Sequence, residues 1–348
     1  MDGGGAVDRP LSALVVGLGV MGSYHLRILD SLPGVSVTAV VERNRARREE
    51  MLRGHAQTSG HATLDEALRA HRFDFACLAV PVGSLPECAS AVIAAGVHAF
   101  VEKPMAPGEE QARDLVALAG ERGVMLAVGF VERFNPAVVA LKRKLDAGMI
   151  GRIVQMHARR LSPFPNRDGM AGVALDLATH DIDLMRFLSE SEVERVYAEA
   201  AGREQVDGDD LICATLRFDS GANGLLEANW ITPTKVRELS VLGEGGMFVV
   251  NYLTQELMFF EHPTRSTEWE QLSGMRGGGE GDMIRYALDR REPLRVQWEA
   301  FIEAVRSGRP PAVSGADALA ALSTARAIQR AGGEHRPTVP EYRPAAVA

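Results

Sequence analysis

Apolar residues in the first 130 positions form short, nearly continuous runs separated by longer amphipathic stretches. Continuous apolar runs are typical of strands that helices cover on both faces of a parallel sheet. The runs predict five strands, at Leu14–Val16, Val35–Val41, Phe73–Val80, Val97–Val101 and Val124–Val128. The stretches between them predict helices, at Met21–Ser31, Arg43–Gly54, Leu64–Ala70, Ser84–Ala95 and Glu109–Arg122. This strand–helix alternation favours a doubly wound α/β domain over residues 1–130.

The pattern changes after residue 130. A helix at Pro136–Ala147, a strand at Arg152–Leu161 and a helix at Val173–Leu188 precede a β-rich region. That region has six segments joined by short turns, at Glu194–Ala201, Leu211–Phe218, Ala222–Trp230, Val236–Leu242, Met247–Tyr252 and Glu256–Glu261. Consecutive strands with short turns predict an antiparallel sheet. We therefore predict a second, α+β domain over 131–335, with its last helices at Val296–Arg306 and Ala316–Arg330, and a loosely ordered tail over 336–348.

Composition narrows the class of protein. The chain is 46% hydrophobic and 24% charged, as soluble globular proteins are. Its formal net charge of -8 argues against nucleic-acid binding, which depends on neutralising phosphates. The three cysteines have no paired spacing, and no apolar stretch approaches the ~20 residues that span a bilayer. We therefore expect a cytoplasmic protein that binds neither nucleic acid nor membrane.

A glycine motif marks a cofactor site. Gly17-Leu-Gly19-Val-Met-Gly22 follows the first predicted strand and opens the first predicted helix. In this context the first glycine allows a tight turn, the second lets the backbone approach a pyrophosphate, and the third lets helix and strand pack closely. The pyrophosphate would then lie at the positive end of the helix. The motif predicts a dinucleotide site.

An acidic residue indicates which dinucleotide. Glu42 ends the second predicted strand, 20 residues beyond Gly22, where a carboxylate can accept the ribose hydroxyls of NAD and repel a 2′-phosphate. The neighbouring Arg43 could instead seat that phosphate. The pattern favours NAD over NADP.

Two further patterns carry candidate chemistry. Glu102-Lys103-Pro104 ends the fourth predicted strand, at the edge of the sheet where ligands bind in such folds, although the tripeptide alone also suits a solvated turn. Asp176 and His180 are four positions apart on a predicted helix, and Asp183 continues that face. An Asp–His pair suits general base chemistry or a surface ion pair. Three such groups could also ligate zinc, but nothing in the sequence indicates a fourth ligand, so we predict no metal.

Taken in order, the glycine motif, Glu42, the Glu102-Lys103-Pro104 tripeptide and the Asp176–His180 helix resemble the glucose–fructose oxidoreductase/inositol dehydrogenase (Gfo/Idh/MocA) family. The resemblance covers about residues 12–330. It implies a Rossmann domain for NAD(P) and a second domain whose open antiparallel sheet binds substrate on one face and mediates oligomerisation on the other. It implies that Lys103, Asp176 and His180 are catalytic, with His180 as the base, and that the Lys103–Pro104 bond is cis. It also implies a set of cofactor contacts: Gly17, Gly19, Val20, Met21, Gly22, Glu42, Arg43, Val80, Pro81, Glu102 and Lys103.

Four further segments are similar to the UDP-N-acetylglucosamine 3-dehydrogenase subgroup of that family. They are Val131–Pro136, Arg160–Pro165, Leu175–Asp183 and Trp230–Arg237. The similarity implies oxidation of the C3 hydroxyl of a nucleotide sugar to a ketone. The substrate contacts it implies, beside the catalytic residues, are Arg133, Asn135, Arg160, Arg167 and Lys235, and it leaves Arg159 and Arg237 as further candidates.

Departures from the family pattern keep other functions open. Val82 and Leu85 replace an Asn and a His that the family usually has near the nicotinamide, and Gly169 replaces an Arg usual in the subgroup. A sugar phosphate, a nucleoside sugar or a cyclitol is therefore an alternative substrate. A noncatalytic NAD-bound sensor is an alternative of another class.

The predicted sheet also suggests self-association. One face would pack on the domain's own helices, which leaves a broad second face. We expect Val241, Phe248, Val250 and Phe260 to cover that face and to form the interface of a homodimer or homotetramer.

Overall fold

The computed structural model describes residues 9–165, 172–202, 208–262 and 281–344. The chain divides into two compact units. The first unit contains the chain up to Phe130 together with Leu294–Leu319. The second unit contains Val131–Pro293 and the chain from Ala320 onward.

The first unit is built on a six-stranded parallel sheet with the strand order β3-β2-β1-β4-β5-β6. Its strands are β1 Leu11–Val16, β2 Val35–Val41, β3 Ser59–His61, β4 Phe75–Leu78, β5 His98–Val101 and β6 Leu126–Val128. Its helices include α1 Val20–Asp30, α2 Arg45–Leu52, α3 Leu64–Ala70, α4 Leu85–Ala94 and α5 Glu109–Arg122. The strand order reverses between β1 and β4, and ligands of open α/β sheets bind beyond the carboxyl ends of strands at such a point. The predicted doubly wound class is confirmed.

The second unit is built on an eight-stranded sheet with the order β14-β13-β12-β11-β7-β10-β9-β8. Neighbouring strands are antiparallel except β7 and β10, which pair in parallel. The first strands are β7 Ile153–Leu161, β8 Val193–Ala201, β9 Leu211–Phe218 and β10 Asn223–Asn229. The others are β11 Val236–Gly243, β12 Gly246–Asn251, β13 Glu256–Glu261 and β14 Met283–Arg285. Helix α6, Pro136–Asp146, contacts β12 and β13, and helix α7, Thr179–Ser189, contacts β7.

One expectation about this sheet is wrong. Val241, Phe248 and Val250 are fully buried, so they belong to the unit's own core and not to an outward face. Only Phe260 of the four predicted residues has the outward parity, where it is half-buried. Strand alternation gives the parity of a side chain, but the covering helices decide which parity is inside. The outward residues with apolar side chains include Leu225, Leu242, Met247, Val249, Met258 and Phe260.

The C-terminal part of the chain differs from the predicted division at residues 131–335. Two helices follow β14, α8 Pro293–Ser307 and α9 Gly315–Glu334, and Leu294–Leu319 belong to the first unit. The tail predicted over 336–348 forms hydrogen bonds with the second unit in the part that the structure describes, up to residue 344. Val196 and Thr338 exchange two backbone hydrogen bonds of 2.8 Å, and the Tyr342 N–H donates to the Ser323 hydroxyl at 2.9 Å. Of the helices described, none has the length and apolar character needed to cross a membrane.

Candidate active site

The glycine motif lies between β1 and α1 with the geometry of a phosphate-binding turn. Gly17 has a φ of +86°, and a Cβ there would approach the Ala79 carbonyl oxygen to 2.5 Å. A Cβ on Gly22 would approach the Gly17 carbonyl oxygen to 1.8 Å, so helix and turn pack without room for a side chain. A Cβ on Gly19 would meet nothing within 4 Å, which leaves this backbone open to a ligand. Val20 and Met21, the first residues of α1, are exposed.

Glu42, directly after β2, has a fixed carboxylate beside this turn. Its Oε2 accepts the Leu18 N–H at 3.0 Å, and its Oε1 accepts the Asn44 N–H at 2.9 Å. The side chain is 11% exposed, and Arg47 Nη1 lies 3.9 Å from Oε2. The two backbone donors hold the carboxylate at the position where a ribose would present its hydroxyls.

The first unit holds a cavity of about 700 Å³ at this place. The residues that line it include Gly17, Gly19, Glu42, Arg43, Val80 and Pro81. All six were predicted as cofactor contacts. An open backbone at a helix N-terminus, with a carboxylate at the next strand end, suits the pyrophosphate and ribose of a dinucleotide. The residues therefore fit NAD, and Glu42 would disfavour a 2′-phosphate.

Lys103 lies just beyond the carboxyl end of β5, which ends at Val101. The Glu102 N–H donates to the Leu78 carbonyl at 3.0 Å, which continues the parallel pairing of β4 and β5 by one residue. The Lys103–Pro104 peptide bond is cis, as expected. Lys103 is half-buried, at the edge of the sheet where ligands of this fold bind.

Asp176 and His180 lie at the start of a helix in the second unit. Ala174–Ala178 form a π-helical turn that runs into α7, so Asp176 is in the π turn and His180 is in the first turn of the α-helix. Single π turns within helices occur often at functional sites. Both side chains are half-buried. Among the residues that the structure describes, no three His, Cys, Asp or Glu side chains are placed to hold a metal ion.

Asp181, the residue after His180, forms a buried ion pair with Arg160. Asp181 is 1% exposed and accepts from Arg160, with 2.6 Å to Nε and 3.1 Å to Nη2. Arg160 Nη1 also donates to Glu132 Oε1 at 3.1 Å. Burial would lower the pKa of Arg160, but the carboxylates of Asp181 and Glu132 raise it instead. Arg160, predicted as a substrate contact, thus has both guanidinium edges bound to carboxylates of this unit.

Arg133 is held in the same way. Its Nε and Nη2 donate to the two oxygens of Asp183 at 2.7 Å and 2.5 Å, and both side chains are buried. Asp183 therefore points to Arg133 and does not extend an open Asp176–His180 face, as the helical spacing had predicted. Asn135 is also buried; its Oδ1 caps α6 by accepting the Ala137 N–H, and its Nδ2 donates to the Tyr252 carbonyl at 3.0 Å.

The other basic candidates lie in different places. Arg159 has the opposite parity to Arg160 on β7 and pairs with Glu227 and Glu238 at 3.3 Å and 3.5 Å. Lys235 is exposed. Arg237 is half-buried, and its Nη1 donates to the carbonyls of Leu161 and Val236; burial lowers its pKa, and so does the nearby Arg160. Arg167 lies outside the described residues.

Comparison with known families decides the identity of these two units. Residues 11–130 match the Gfo/Idh/MocA oxidoreductase family with its NAD-binding Rossmann fold, and residues 138–249 match the C-terminal domain of the same family. The chain belongs to the Gfo/Idh/MocA family. It is therefore an NAD-binding oxidoreductase, as the sequence motifs predicted.

Individual relatives of this Gfo/Idh/MocA protein have several substrates in their names. A myo-inositol dehydrogenase of Streptomyces leeuwenhoekii is 33% identical over 247 residues, which cover 68% of this chain and 75% of the relative. The UDP-N-acetylglucosamine 3-dehydrogenase of Acidithiobacillus ferrooxidans is 26% identical over 319 residues, covering 90% of this chain and 95% of the relative. A structure of that enzyme covers 92% of this chain and 97% of its own, at 23% identity and a TM-score of 0.81. The WlbA dehydrogenase of Bordetella pertussis, solved with NADH and UDP-GlcNAcA, gives a TM-score of 0.79 at 22% identity, over 96% of this chain and 100% of its own.

Three residues that support the Gfo/Idh/MocA site carry no local sequence signal. Asp209, in the loop between β8 and β9, accepts the Ala174 N–H at 2.8 Å and so caps the π turn that holds Asp176. Gln329 donates to its other oxygen at 2.9 Å. Tyr252 is buried beside Asp181, and burial, followed by the Asp181 charge, raises its pKa well above 10. Each of the three acts on a residue at least 35 positions away, so only the fold reveals them.

Proposed function

We propose that this protein is an NAD-dependent dehydrogenase that oxidises a secondary hydroxyl, with C3 expected, of a sugar or nucleotide sugar to a ketone. The observation that carries the proposal is the half-buried Lys103 just beyond the carboxyl end of β5, in the same unit as the glycine turn and the Glu42 carboxylate that fit NAD. The named activities of the relatives, which act on nucleotide sugars and inositols, support the class of substrate.

The proposed roles follow from the chemistry of the side chains. His180 accepts the proton of the substrate hydroxyl, and Asp176 orients its imidazole. Lys103 stabilises the negative charge that develops as the hydroxyl is oxidised. When bound, NAD supplies the acceptor for the hydride that leaves the carbon. The C–H bond breaks as its hydride leaves, the O–H bond breaks as its proton passes to His180, and the carbonyl forms from the carbon and oxygen that remain.

The buried guanidiniums change the expected substrate contacts. Arg133 and Arg160 each bind carboxylates of their own unit, so we assign them, with Asn135, to positioning of the site and not to phosphate binding. Lys235 and Arg237 stay as proposed contacts. Fewer available cations weaken the case for a pyrophosphate and favour a second candidate, a cyclitol or an unphosphorylated sugar.

A substrate panel tests the proposal. Nucleotide sugars, sugar phosphates, free sugars and cyclitols are each offered with NAD, and the absorbance of the reduced cofactor is followed. We expect turnover on at least one secondary alcohol. Turnover on cyclitols or free sugars, but not on nucleotide sugars, would select the second candidate. NAD binding without oxidation of any compound would favour the noncatalytic sensor.

Cofactor choice depends on Glu42. Glu42→Ser removes the carboxylate that opposes a 2′-phosphate and leaves Arg43 and Arg47 beside it. We expect wild type to prefer NAD in kcat/KM, and Glu42→Ser to shift the ratio toward NADP by about tenfold or more, because the loss of one charge contact is worth about 1–3 kcal/mol. Glu49→Ser, which removes an exposed acid of α2, is the control. A wild type that prefers NADP would contradict the role of Glu42.

Self-association and location complete the proposal. We propose that the outward sheet face, with Leu225, Met247, Met258 and Phe260, forms the interface of a homodimer or homotetramer, which light scattering would detect. Cytoplasmic location stays a prediction.

A further inference from the structure

Three side chains of the first unit form a hydrogen-bonded chain that ends beside Lys103. Trp298, on α8, donates its indole N–H to His25 Nδ1 at 2.9 Å. His25, on α1, lies with its Nε2 2.8 Å from Glu102 Oε1. Glu102 Oε2 in turn accepts the backbone N–H of Lys103 at 3.2 Å. A residue of the last part of the chain is thereby joined to the strand end that carries the candidate catalytic lysine.

The partners determine where the imidazole proton lies. An indole N–H can only donate, so His25 Nδ1 is the acceptor and carries no proton. The proton of a neutral ring is then on Nε2, which donates it to the Glu102 carboxylate. A second proton on the ring would place one N–H against another. The indole therefore holds His25 as a neutral, one-directional donor to Glu102.

The side chains of this hydrogen-bonded chain are packed in the interior of the first unit. His25 and Trp298 are fully buried, and the Glu102 side chain is 13% exposed. The indole packs on Phe100 with 4.3 Å between ring centroids, and the His25 ring meets the edges of both aromatic rings at 5.5–5.6 Å. A Cβ on Gly129 would come within 2.9 Å of Glu102 Oε1, so the carboxylate fills the space beside β6.

A hydrogen-bonded chain of buried polar groups would destabilise the fold if it served packing alone. Burying a carboxylate and an imidazole costs free energy that apolar side chains of similar size would not. The arrangement instead fixes one carboxylate at two points, by His25 Nε2 and by the Lys103 N–H. His25 also follows Gly22 by three positions on α1, the helix whose N-terminus forms the glycine turn. Helix α1 therefore begins at the glycine turn and also supplies the hydrogen bond to Glu102, just before Lys103.

We propose that His25 and Trp298 are positioning residues for the dehydrogenase reaction. They hold Glu102, and through it Lys103, in a fixed position relative to the glycine turn. Trp298 sets the tautomer, His25 carries the hydrogen bond, and Glu102 fixes the Lys103 backbone. The inference depends on the proposed function for its kinetic test only. Its other two tests are made on the protein without cofactor.

The first test reads the proton directly. In protein labelled with ¹⁵N at histidine, the His25 signal is assigned from the spectrum of His25→Gln. We expect wild type to show the Nε2–H tautomer, and Trp298→Phe, which removes only the indole donor, to show a mixture. An Nδ1–H tautomer or an imidazolium in wild type would overturn the proposal.

The second test follows amide exchange at Glu102–Lys103. We expect Trp298→Phe and His25→Leu to speed exchange of this segment by about tenfold or more, because the carboxylate that accepts the Lys103 N–H is released. Phe301→Leu is the matched control, since Phe301 packs on Phe100 and Trp298 at 5.5 Å but takes no part in the hydrogen-bonded chain. If Phe301→Leu speeds exchange as much as the other two variants do, the hydrogen-bonded chain contributes packing only and the proposal is wrong.

The kinetic test separates positioning from binding. We expect His25→Leu to lower kcat by about 10²-fold and Trp298→Phe by about tenfold, because small displacements of a catalytic group are costly. KM and the Kd for NAD should stay within about threefold, and His25→Gln, which keeps an N–H donor, should recover part of kcat. An unchanged kcat in His25→Leu would refute the positioning role. An inactive wild type would refute the proposed function, and the tautomer and exchange data would still decide this inference.

Discussion

Replacing His180 by alanine should lower kcat by about 10²–10⁴-fold, the usual contribution of a general base. Lys103→Ala should be at least as damaging, because it removes the charge beside the developing alkoxide, a contribution of roughly 3 kcal/mol where such donors have been deleted. His180→Ala should not move the Kd for NAD by more than about threefold, since the main proposed anchors are Gly17–Gly22 and Glu42. The measurements are kcat at saturating substrate and calorimetric titration with NAD.

Two substitutions outside the proposed site are the controls for the His180→Ala and Lys103→Ala measurements. His335→Ala removes an exposed imidazole that pairs with Glu199, and Lys144→Ala removes an ammonium that lies over the Tyr286 ring. Both should retain kcat within about twofold, as surface changes usually do. A near-native kcat in His180→Ala would remove the assigned base. Loss of NAD binding in both active-site variants would show that they act on the cofactor and not on the hydroxyl.

Breaking the Arg133–Asp183 pair should cost about 3–5 kcal/mol in the free energy of unfolding of the second unit. Both side chains are buried, so Arg133→Met leaves the Asp183 carboxylate without its bidentate donor. The double variant Arg133→Met, Asp183→Leu should recover most of the loss, because it removes both charges. Urea unfolding of the three proteins gives the comparison.

An exposed pair gives the control for this measurement. Arg152 and Glu244 lie 3.4 Å apart with side chains 62% and 58% exposed, so Arg152→Met should change the free energy by no more than about 0.5 kcal/mol. An equally small effect in Arg133→Met would mean that Asp183 is not an ionised, uncompensated group once its partner is lost. It would also remove the reason for assigning Arg133 to positioning of the site.

Predictions from local sequence patterns were confirmed where the structural feature is itself formed by residues that are close together in the sequence. The strand–glycine–helix motif is contained within Leu11–Asp30, and its steric demands at Gly17 and Gly22 are met within the same turn. The five predicted parallel strands were visible because both of their faces are buried. The sixth, β3, is three residues long and reads Ser-Gly-His, so it has no apolar run to detect.

Pairing between distant positions could not be predicted in this way. The sequence shows that Asp181 and Asp183 are acidic residues on a helix that also carries His180. Only the structure shows that Arg160 and Arg133 neutralise them, 21 and 50 positions away. A charge that looks available for a substrate in the sequence is thus already bound in the fold.

Local spacing along the chain is enough to predict the class of the first domain, the dinucleotide site and the residue types available for hydride and proton transfer. Long-range packing, in contrast, sets which face of the second sheet is inside and to which unit helix α8 belongs. It also joined Trp298 to His25, 273 positions away, beside the candidate lysine. Amphipathic periodicity shows that a helix buries one face, but the partner of that face is set by packing among all the elements, which no local pattern contains.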